Sequence, residues 1–116
     1  MEDTIFALAS GYGRAAVQIV RLSGPKTREI IRAGAEHLPP PRTATLVNLR
    51  DRTGDMIDRG LLLWFPGPRS FTGEDCAEFQ LHGGAAITDA VFRWLQSFEQ
   101  CRLATPGEFT RRAIQN

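Results

Sequence analysis

The sequence predicts an α+β domain, with a mixed β-sheet of about five to six strands and about three helices. Strand-like and helix-like segments are mixed along the chain without strict alternation. Two of the strand-like runs flank a turn-rich segment that is typical of an antiparallel hairpin. A chain of 116 residues has the length of one ordinary domain, so we expect residues 1–116 to share one core.

The first strands and the first helix follow from local pattern. Thr4 to Ala9 and Ala16 to Leu22 are short runs of apolar and β-branched residues. Ser23-Gly24-Pro25 then opens a helix, because a proline in the first turn loses no hydrogen bond. Pro39-Pro40-Pro41 is expected to end this helix. Its predicted buried stripe consists of Ile30, Ile31, Gly34 and Leu38.

Three further strand-like runs complete the first two thirds of the chain. Thr43 to Leu49 and Ile57 to Phe65 are separated by the turn-rich segment Asp51 to Asp55, which predicts the hairpin. The fifth predicted strand is Cys76 to His82.

Helical periodicity is clearest after Ala86. Apolar residues recur from there to Phe98 at spacings of three and four. Trp94 lies on this apolar stripe, so we expect it to be a core aromatic and not a ring that stacks on a cofactor.

A short strand-like run at Cys101 to Ala104 precedes the last predicted helix. The segment Thr105-Pro106-Gly107-Glu108 has the spacing of a capping box. In such a box the Thr105 hydroxyl accepts from the amide three residues on, and Glu108 reaches back. The last helix is expected to run from there toward Asn116.

Composition excludes several classes of protein. Charged residues make up 23% and hydrophobic residues 42%, which is typical of a globular domain, and no apolar run approaches the ~18 residues of a membrane span. The N-terminus Met1 to Thr4 is acidic where a signal peptide is basic, so we expect a cytoplasmic protein with no membrane partner. Cys76 and Cys101 have no metal-ligand spacing and are expected to be reduced. A net charge of +1 gives no electrostatic footprint for nucleic acid.

The sequence gives no support for a dinucleotide-binding fingerprint or for a P-loop. Gly11 to Ala16 matches G-x-G-x-x-A, but the segment that follows is strand-like, whereas a dinucleotide fingerprint needs a helix N-terminus there. The pattern G-x-x-x-x-G-K-[ST] does not occur. Any GTPase chemistry therefore lies outside this chain, and we predict no catalytic residue and no metal ligand within it.

His82-Gly83-Gly84 joins the fifth strand to a helix, and both the histidine and the glycine pair can be interpreted in two ways. His82 could bind a metal, but a hydrogen-bonded or solvent-facing histidine is favoured because it has no ligand partners in the sequence. Gly83 and Gly84 could leave free amides for an anion. Alternatively, they allow a tight turn from strand to helix.

Arg21 and Glu78 are the charges that are hardest to explain structurally. Alternation places Arg21 on one strand face with Val17 and Ile19, and Glu78 on one face with Gln80. If both strands are central, these charges need partners. One possibility is that they pair with each other or face water. The other is that they bind a polar heterocyclic ligand and its acidic tail.

Taken together, the residues resemble the N-terminal domain of the tRNA modification GTPase family called MnmE or TrmE. The combination of Ser-Phe-Thr-Gly-Glu-Asp, His-Gly-Gly and Pro-Gly-Glu-Phe carries the resemblance. The matching stretches span nearly the whole chain and are Asp3-Thr4-Ile5, Gly13-Arg14, Ile19 to Gly24, Pro41 to Ala44, Phe65 to Pro68, Ser70 to Asp75, Glu78, His82-Gly83-Gly84 and Pro106 to Thr110.

The resemblance implies a domain similar to the folate-binding domain of the glycine-cleavage aminomethyltransferase. It implies that this domain binds 5-formyl-tetrahydrofolate or a related folate through Arg21 and Glu78, with weaker roles for Gly83 and Gly84. The domain would also form a homodimer. The helical and GTPase domains of the family, with their GTP, Mg²⁺ and K⁺, would lie outside residues 1–116, together with a further folate-binding lysine.

In that family the intact protein acts with a flavin-dependent partner, MnmG, to add an aminomethyl-type group at C5 of the wobble uridine (U34) of certain tRNAs. The present chain is then expected to be a non-catalytic module. Two alternatives remain open: a standalone folate-dependent one-carbon (aminomethyl) transferase, and a dimerisation scaffold without folate.

Overall fold

A computed structural model describes residues 2–9 and 16–116. Within them it contains a six-stranded mixed sheet and three helices, which confirms the predicted α+β class. Most of the Gly11 to Ala16 motif lies outside the described residues. The elements in chain order are β1 Thr4–Leu8, β2 Val17–Ser23, α1 Thr27–Ala35, β3 Thr45–Arg50, β4 Met56–Phe65, β5 Cys76–His82, α2 Ala85–Gln96, β6 Cys101–Leu103 and α3 Glu108–Gln115.

The strand order is β3-β4-β5-β2-β1-β6. Neighbouring strands are antiparallel except β1 and β6, which are parallel. The predicted β3–β4 hairpin is therefore confirmed. Its turn is closed by Asp51, whose Oδ1 accepts from the amides of Thr53 and Asp55 at 2.9 and 3.1 Å. Strands β2 and β5 are central and paired with each other, so Arg21 and Glu78 lie in the middle of the sheet.

The hydrophobic core lies on one face of this sheet, under α1 and α2. Phe79 and Leu62 are fully buried there, and Trp94 of α2 packs edge-on against Phe79 with ring centroids 6.2 Å apart. A Cβ on Gly34 of α1 would lie 2.5 Å from the Trp94 ring, so only glycine lets the two helices approach this closely. The prediction that Trp94 is a core aromatic is confirmed.

Helix α1 is shorter than predicted at both ends. It begins at Thr27, after a turn that contains Pro25, and ends at Ala35. Glu36 has a φ of 73°, a left-handed conformation that stops the helix before the prolines are reached. Leu38 therefore lies beyond the helix, although it still packs against the core.

The predicted capping box forms only in part. The Glu108 carboxylate does reach back, accepting from the Thr105 amide at 3.0 Å. The Thr105 hydroxyl, however, donates to that same carboxylate at 3.2 Å, and the Glu108 amide bonds the Thr105 carbonyl instead. A charged oxygen is the stronger acceptor and so attracts the hydroxyl. The residue that precedes α3 is Gly107, in a left-handed conformation.

Among the described residues no helix is long and apolar enough to cross a membrane. Cys76 and Cys101 are both free and buried, in agreement with the prediction that they are reduced. Burial raises the pKa of the Cys101 thiol to about 11.

Candidate functional site

A cleft of about 680 Å³ opens on the sheet face opposite α1 and α2. Its floor is formed by residues of β2 and β5, including Arg21 and Glu78. One wall is the loop that joins β4 to β5 (residues 66–75, the β4–β5 loop), and α3 contributes to the lining as well. Three phenyl rings line the cleft, those of Phe65, Phe71 and Phe109. The cleft is therefore aromatic on its sides and charged at its floor.

Arg21 and Glu78 face each other directly across β2 and β5. They are register partners, and Arg21 Nε donates to Glu78 Oε1 at 3.3 Å. The Arg21 side chain is 52% exposed and the Glu78 side chain is 20% exposed. The structure thus shows the two charges paired with each other, which is one of the alternatives that the sequence leaves open, and it also places both in the cleft. Since the pair is open to solvent, it contributes little to stability, about 0–1 kcal/mol.

The pair has hydrogen-bonding capacity left over. Glu78 Oε2 accepts from Gln80 Nε2 at 3.0 Å, which leaves about half of the carboxylate's four acceptor positions. Arg21 uses only Nε toward described residues, so its two terminal amino groups have no partner among them. A planar ring that carries both N–H donors and a carbonyl acceptor could bond to both side chains.

Most polar side chains between Ser70 and Asp75, in the second half of the β4–β5 loop, bond to other groups of the protein. The Ser70 hydroxyl donates to the Glu74 carbonyl, and Asp75 Oδ1 accepts from the Gly67 amide at 2.9 Å. Thr72 is fully buried, with its hydroxyl 2.7 Å from that of Ser23 on β2. The Ser-Phe-Thr-Gly-Glu-Asp stretch therefore shapes the wall of the cleft instead of supplying polar ligand contacts.

A buried ionic cluster fixes this loop to α3. Arg112 is fully buried and donates through Nη1 to Glu74 at 3.1 and 3.2 Å, and through Nη2 to Glu108 at 3.2 Å. Arg102 pairs with both oxygens of Glu108 at 2.8 and 2.7 Å. Those bonds hold the pKa of Glu108 well below its ordinary value, with the Thr105 amide and Arg112 acting in the same direction. The same contact with Glu108 raises the pKa of Arg102.

His82 and the two glycines lie at the other end of β5. His82 Nδ1 lies 3.0 Å from Asp58 Oδ1, so the reading of a hydrogen-bonded, solvent-facing histidine is supported. Within the described part of the chain, no three histidine, cysteine, aspartate or glutamate side chains lie close enough together to hold a metal ion. The Gly83 amide donates to the Ala16 carbonyl at 3.0 Å, so it is not free for an anion. Gly84 has a φ of 133° and starts the turn into α2.

The predicted site residues therefore separate into two groups. Arg21 and Glu78 come together in the cleft, whereas neither Gly83 nor Gly84 lines it. Sequence reasoning did not single out Phe71, Phe109 or Arg69, which do line it. Arg69 and Phe71 flank Ser70 in a Pro- and Gly-rich loop. A large side chain in such a loop has no local core to enter, and this pattern could have indicated that both line a binding surface.

Residues 4–116 match the family described as GTP-binding protein TrmE N-terminus. The chain belongs to this family. The resemblance drawn from the sequence motifs is thereby confirmed. The expected likeness to the aminomethyltransferase folate-binding domain stays a prediction.

Curated relatives agree with this assignment. A tRNA modification GTPase MnmE from Beijerinckia indica subsp. indica is 57% identical over 115 residues, and the match covers 98% of this chain and 26% of that protein. Proteins of the same name from Brucella canis and Brucella abortus are each 54% identical over 114 residues, with the same coverage. The chain thus spans about a quarter of the length of these relatives, and it corresponds to the N-terminal domain.

Proposed function

We propose that this chain binds 5-formyl-tetrahydrofolate, or a related folate, and forms a homodimer as the N-terminal module of a tRNA modification GTPase. The observation that carries the proposal is the half-exposed Arg21–Glu78 pair on the floor of an aromatic cleft. A pair that served stability alone would gain nothing from a concave, phenyl-lined setting. Such a cleft with few polar groups is typical of a small-molecule site.

The chemistry of the pair suits a pterin ring. A carboxylate accepts from adjacent ring N–H and amino groups, and a guanidinium is a fixed fork of donors for a carbonyl oxygen. The phenyl groups of Phe65, Phe71 and Phe109 offer apolar surface to the rings of the ligand. The folate would supply or position a one-carbon unit, while the residues of this chain bind and orient it.

Exposed apolar side chains on the cleft face of the sheet, toward β3 and β4, support self-association. Leu46 and Leu61 are exposed register partners on β3 and β4, and Leu61 is in turn paired with Gln80, the partner of Ile19. These side chains form one row across four strands, and Val17 lies two residues further along β2, also exposed. A two-fold dimer requires one patch that is complementary to itself, and the exposed apolar side chains of this row, which flank Gln80, are the candidate for that patch.

The remaining activities belong to the longer protein. We place GTP, Mg²⁺ and K⁺ in its other domains, because the sequence of this chain has no phosphate-binding loop. Within that protein, MnmG and tRNA would be the partners, and modification of the wobble uridine the outcome.

Titration calorimetry tests the cofactor assignment. We expect 5-formyl-tetrahydrofolate to bind saturably to the wild-type chain and much more weakly to Arg21→Gln. Arg32→Gln is the matched control, since Arg32 is an exposed arginine on α1, remote from the cleft. Equal affinity of all three proteins would contradict the assignment of Arg21, and absence of binding to the wild type would contradict the folate proposal.

A further inference from the structure

Arg69 is a charged group of the cleft that no described residue neutralises. Its side chain lines the cleft from the β4–β5 loop and makes no hydrogen bond or ion pair to any described residue. The acidic side chains of the same loop are already occupied: Glu74 bonds Arg112, and Asp75 bonds Arg28 at 2.9 Å. The Arg69 guanidinium is therefore available to a ligand.

The backbone around Arg69 is held in place. The Arg69 carbonyl accepts from Arg42 Nη2 at 2.5 Å, and the Arg42 amide is itself bonded to the Trp64 carbonyl at 2.9 Å. Ser70, the next residue, is fixed by the hydrogen bond from its hydroxyl to the Glu74 carbonyl. The guanidinium of Arg69 thus extends from an anchored segment, with a second arginine beside it.

The cleft is electrostatically uneven. Among the described residues, the charged ones that line it are Arg21, Arg69 and Glu78. Arg21 and Glu78 neutralise each other on the floor, which leaves one excess positive charge at Arg69 on the loop side. Phe71 lies two residues after Arg69, is 64% exposed and lines the same cleft. A ligand with an aromatic middle and an anionic end matches this arrangement.

From these contacts we propose that Arg69 binds the glutamate tail of the folate and favours ligands with an acidic tail over neutral ones. The inference rests on the proposed function, because it assigns the opposite end of the same ligand. The Arg21–Glu78 pair would bind the pterin, Phe71 would cover the benzoyl ring, and Arg69 would pair with tail carboxylates. A bidentate guanidinium–carboxylate contact at a partly exposed position gives a moderate gain in affinity that salt weakens.

Three ligands that differ only in the tail test this proposal by titration: 5-formyl-tetrahydrofolate, its triglutamate, and a neutral analogue with a methylamide in place of the glutamate. The wild-type chain should prefer the glutamate form over the neutral analogue by about two- to fivefold, and the triglutamate further still. Arg69→Ala should bind all three with the affinity that the wild type has for the neutral analogue. Arg32→Ala, which removes the same charge from α1, should leave the preference unchanged.

Other outcomes separate the two proposals. Equal affinity of the wild type for the glutamate form and the neutral analogue would overturn the role of Arg69 while leaving the folate site intact. An equal loss for all three ligands in Arg69→Ala would overturn it as well, since it would mean that Arg69 acts on the rings or on the loop. Failure of the wild type to bind any of them would overturn the proposed function itself.

Discussion

The fully buried guanidinium of Arg112 on α3 donates to both carboxylate oxygens of Glu74 in the β4–β5 loop, at 3.1 and 3.2 Å. This contact joins two residues that are 38 positions apart in sequence, in two segments that both line the cleft. Glu108 accepts from the same guanidinium. The shape of the cleft therefore depends on a buried ionic cluster that itself lies outside it.

Breaking this cluster should destabilise the fold. Glu108→Gln removes the negative charge of one of the carboxylates that the buried Arg112 guanidinium contacts. We expect the free energy of unfolding at pH 7 to fall by about 3–5 kcal/mol. Urea denaturation measures the change. Glu99→Gln is the matched control, because Glu99 is exposed and the same substitution there should change stability by no more than about 0.5 kcal/mol. Equal stability of the two variants would show that the cluster is not stabilising.

The same cluster predicts a dependence of stability on acid. The pKa of Glu108 in the folded chain is depressed below its ordinary value of 4.5, first by the hydrogen bonds of Arg102. A depressed pKa stabilises the fold fully above the unfolded value, and this stabilisation is lost as the pH falls through 4.5 toward the folded value. The wild type should thus lose stability more steeply than Glu108→Gln below about pH 5. Parallel curves of unfolding free energy against pH would contradict the role assigned to Glu108.

Self-association should depend on the exposed apolar side chains of β3 and β4, Leu46 and Leu61. Light scattering on the wild type should give about 26 kDa, twice the mass of one 12.9 kDa chain, at tens of micromolar. Leu61→Lys places a charge in the middle of the apolar row and should shift the protein toward monomer. Ile114→Lys makes the same change at an exposed isoleucine of α3 and should leave the dimer intact. A monomeric wild type, or equal effects of the two substitutions, would argue against this interface.

Guanine nucleotide should not bind to this chain. The sequence lacks the glycine-rich loop and lysine that hold nucleoside triphosphates in P-loop proteins. We expect labelled GTP to show no saturable binding at micromolar concentration in equilibrium dialysis. Saturable binding would move the nucleotide site into the N-terminal domain and contradict the division of functions proposed above.

Much of the fold could be predicted from the sequence, because strands and helices are encoded in local periodicity. The alternation in β2 and β5 placed Arg21 and Glu78 on the correct faces, and the turn at Asp51 identified the hairpin. The parallel pairing of β6 with β1 could not be predicted, because it joins strands from opposite ends of the chain and depends on packing.

The floor of the candidate site could be predicted from the sequence, whereas its walls could not. Arg21 and Glu78 were singled out because a charge in a central strand needs a partner, and both line the cleft. Arg69 and Phe71 lie in an irregular loop whose path is set by the distant contact between Glu74 and Arg112. No local sequence pattern indicates such a distant contact. The side chains that it brings to the cleft could therefore be identified only from the structure.

If Arg21 and Glu78 bind the ligand, Glu78→Gln should weaken folate binding without unfolding the domain, and titration together with thermal melting measures both effects. The substitution keeps the volume of the side chain but removes its charge. Affinity for 5-formyl-tetrahydrofolate should fall by about 1.5–3 kcal/mol, the range for a hydrogen bond to a charged group. Stability without ligand should change by less than about 1 kcal/mol, because Arg21 is half-exposed and its terminal amino groups are accessible to water. Lost stability with unchanged folate affinity would contradict the account and make the pair a structural one.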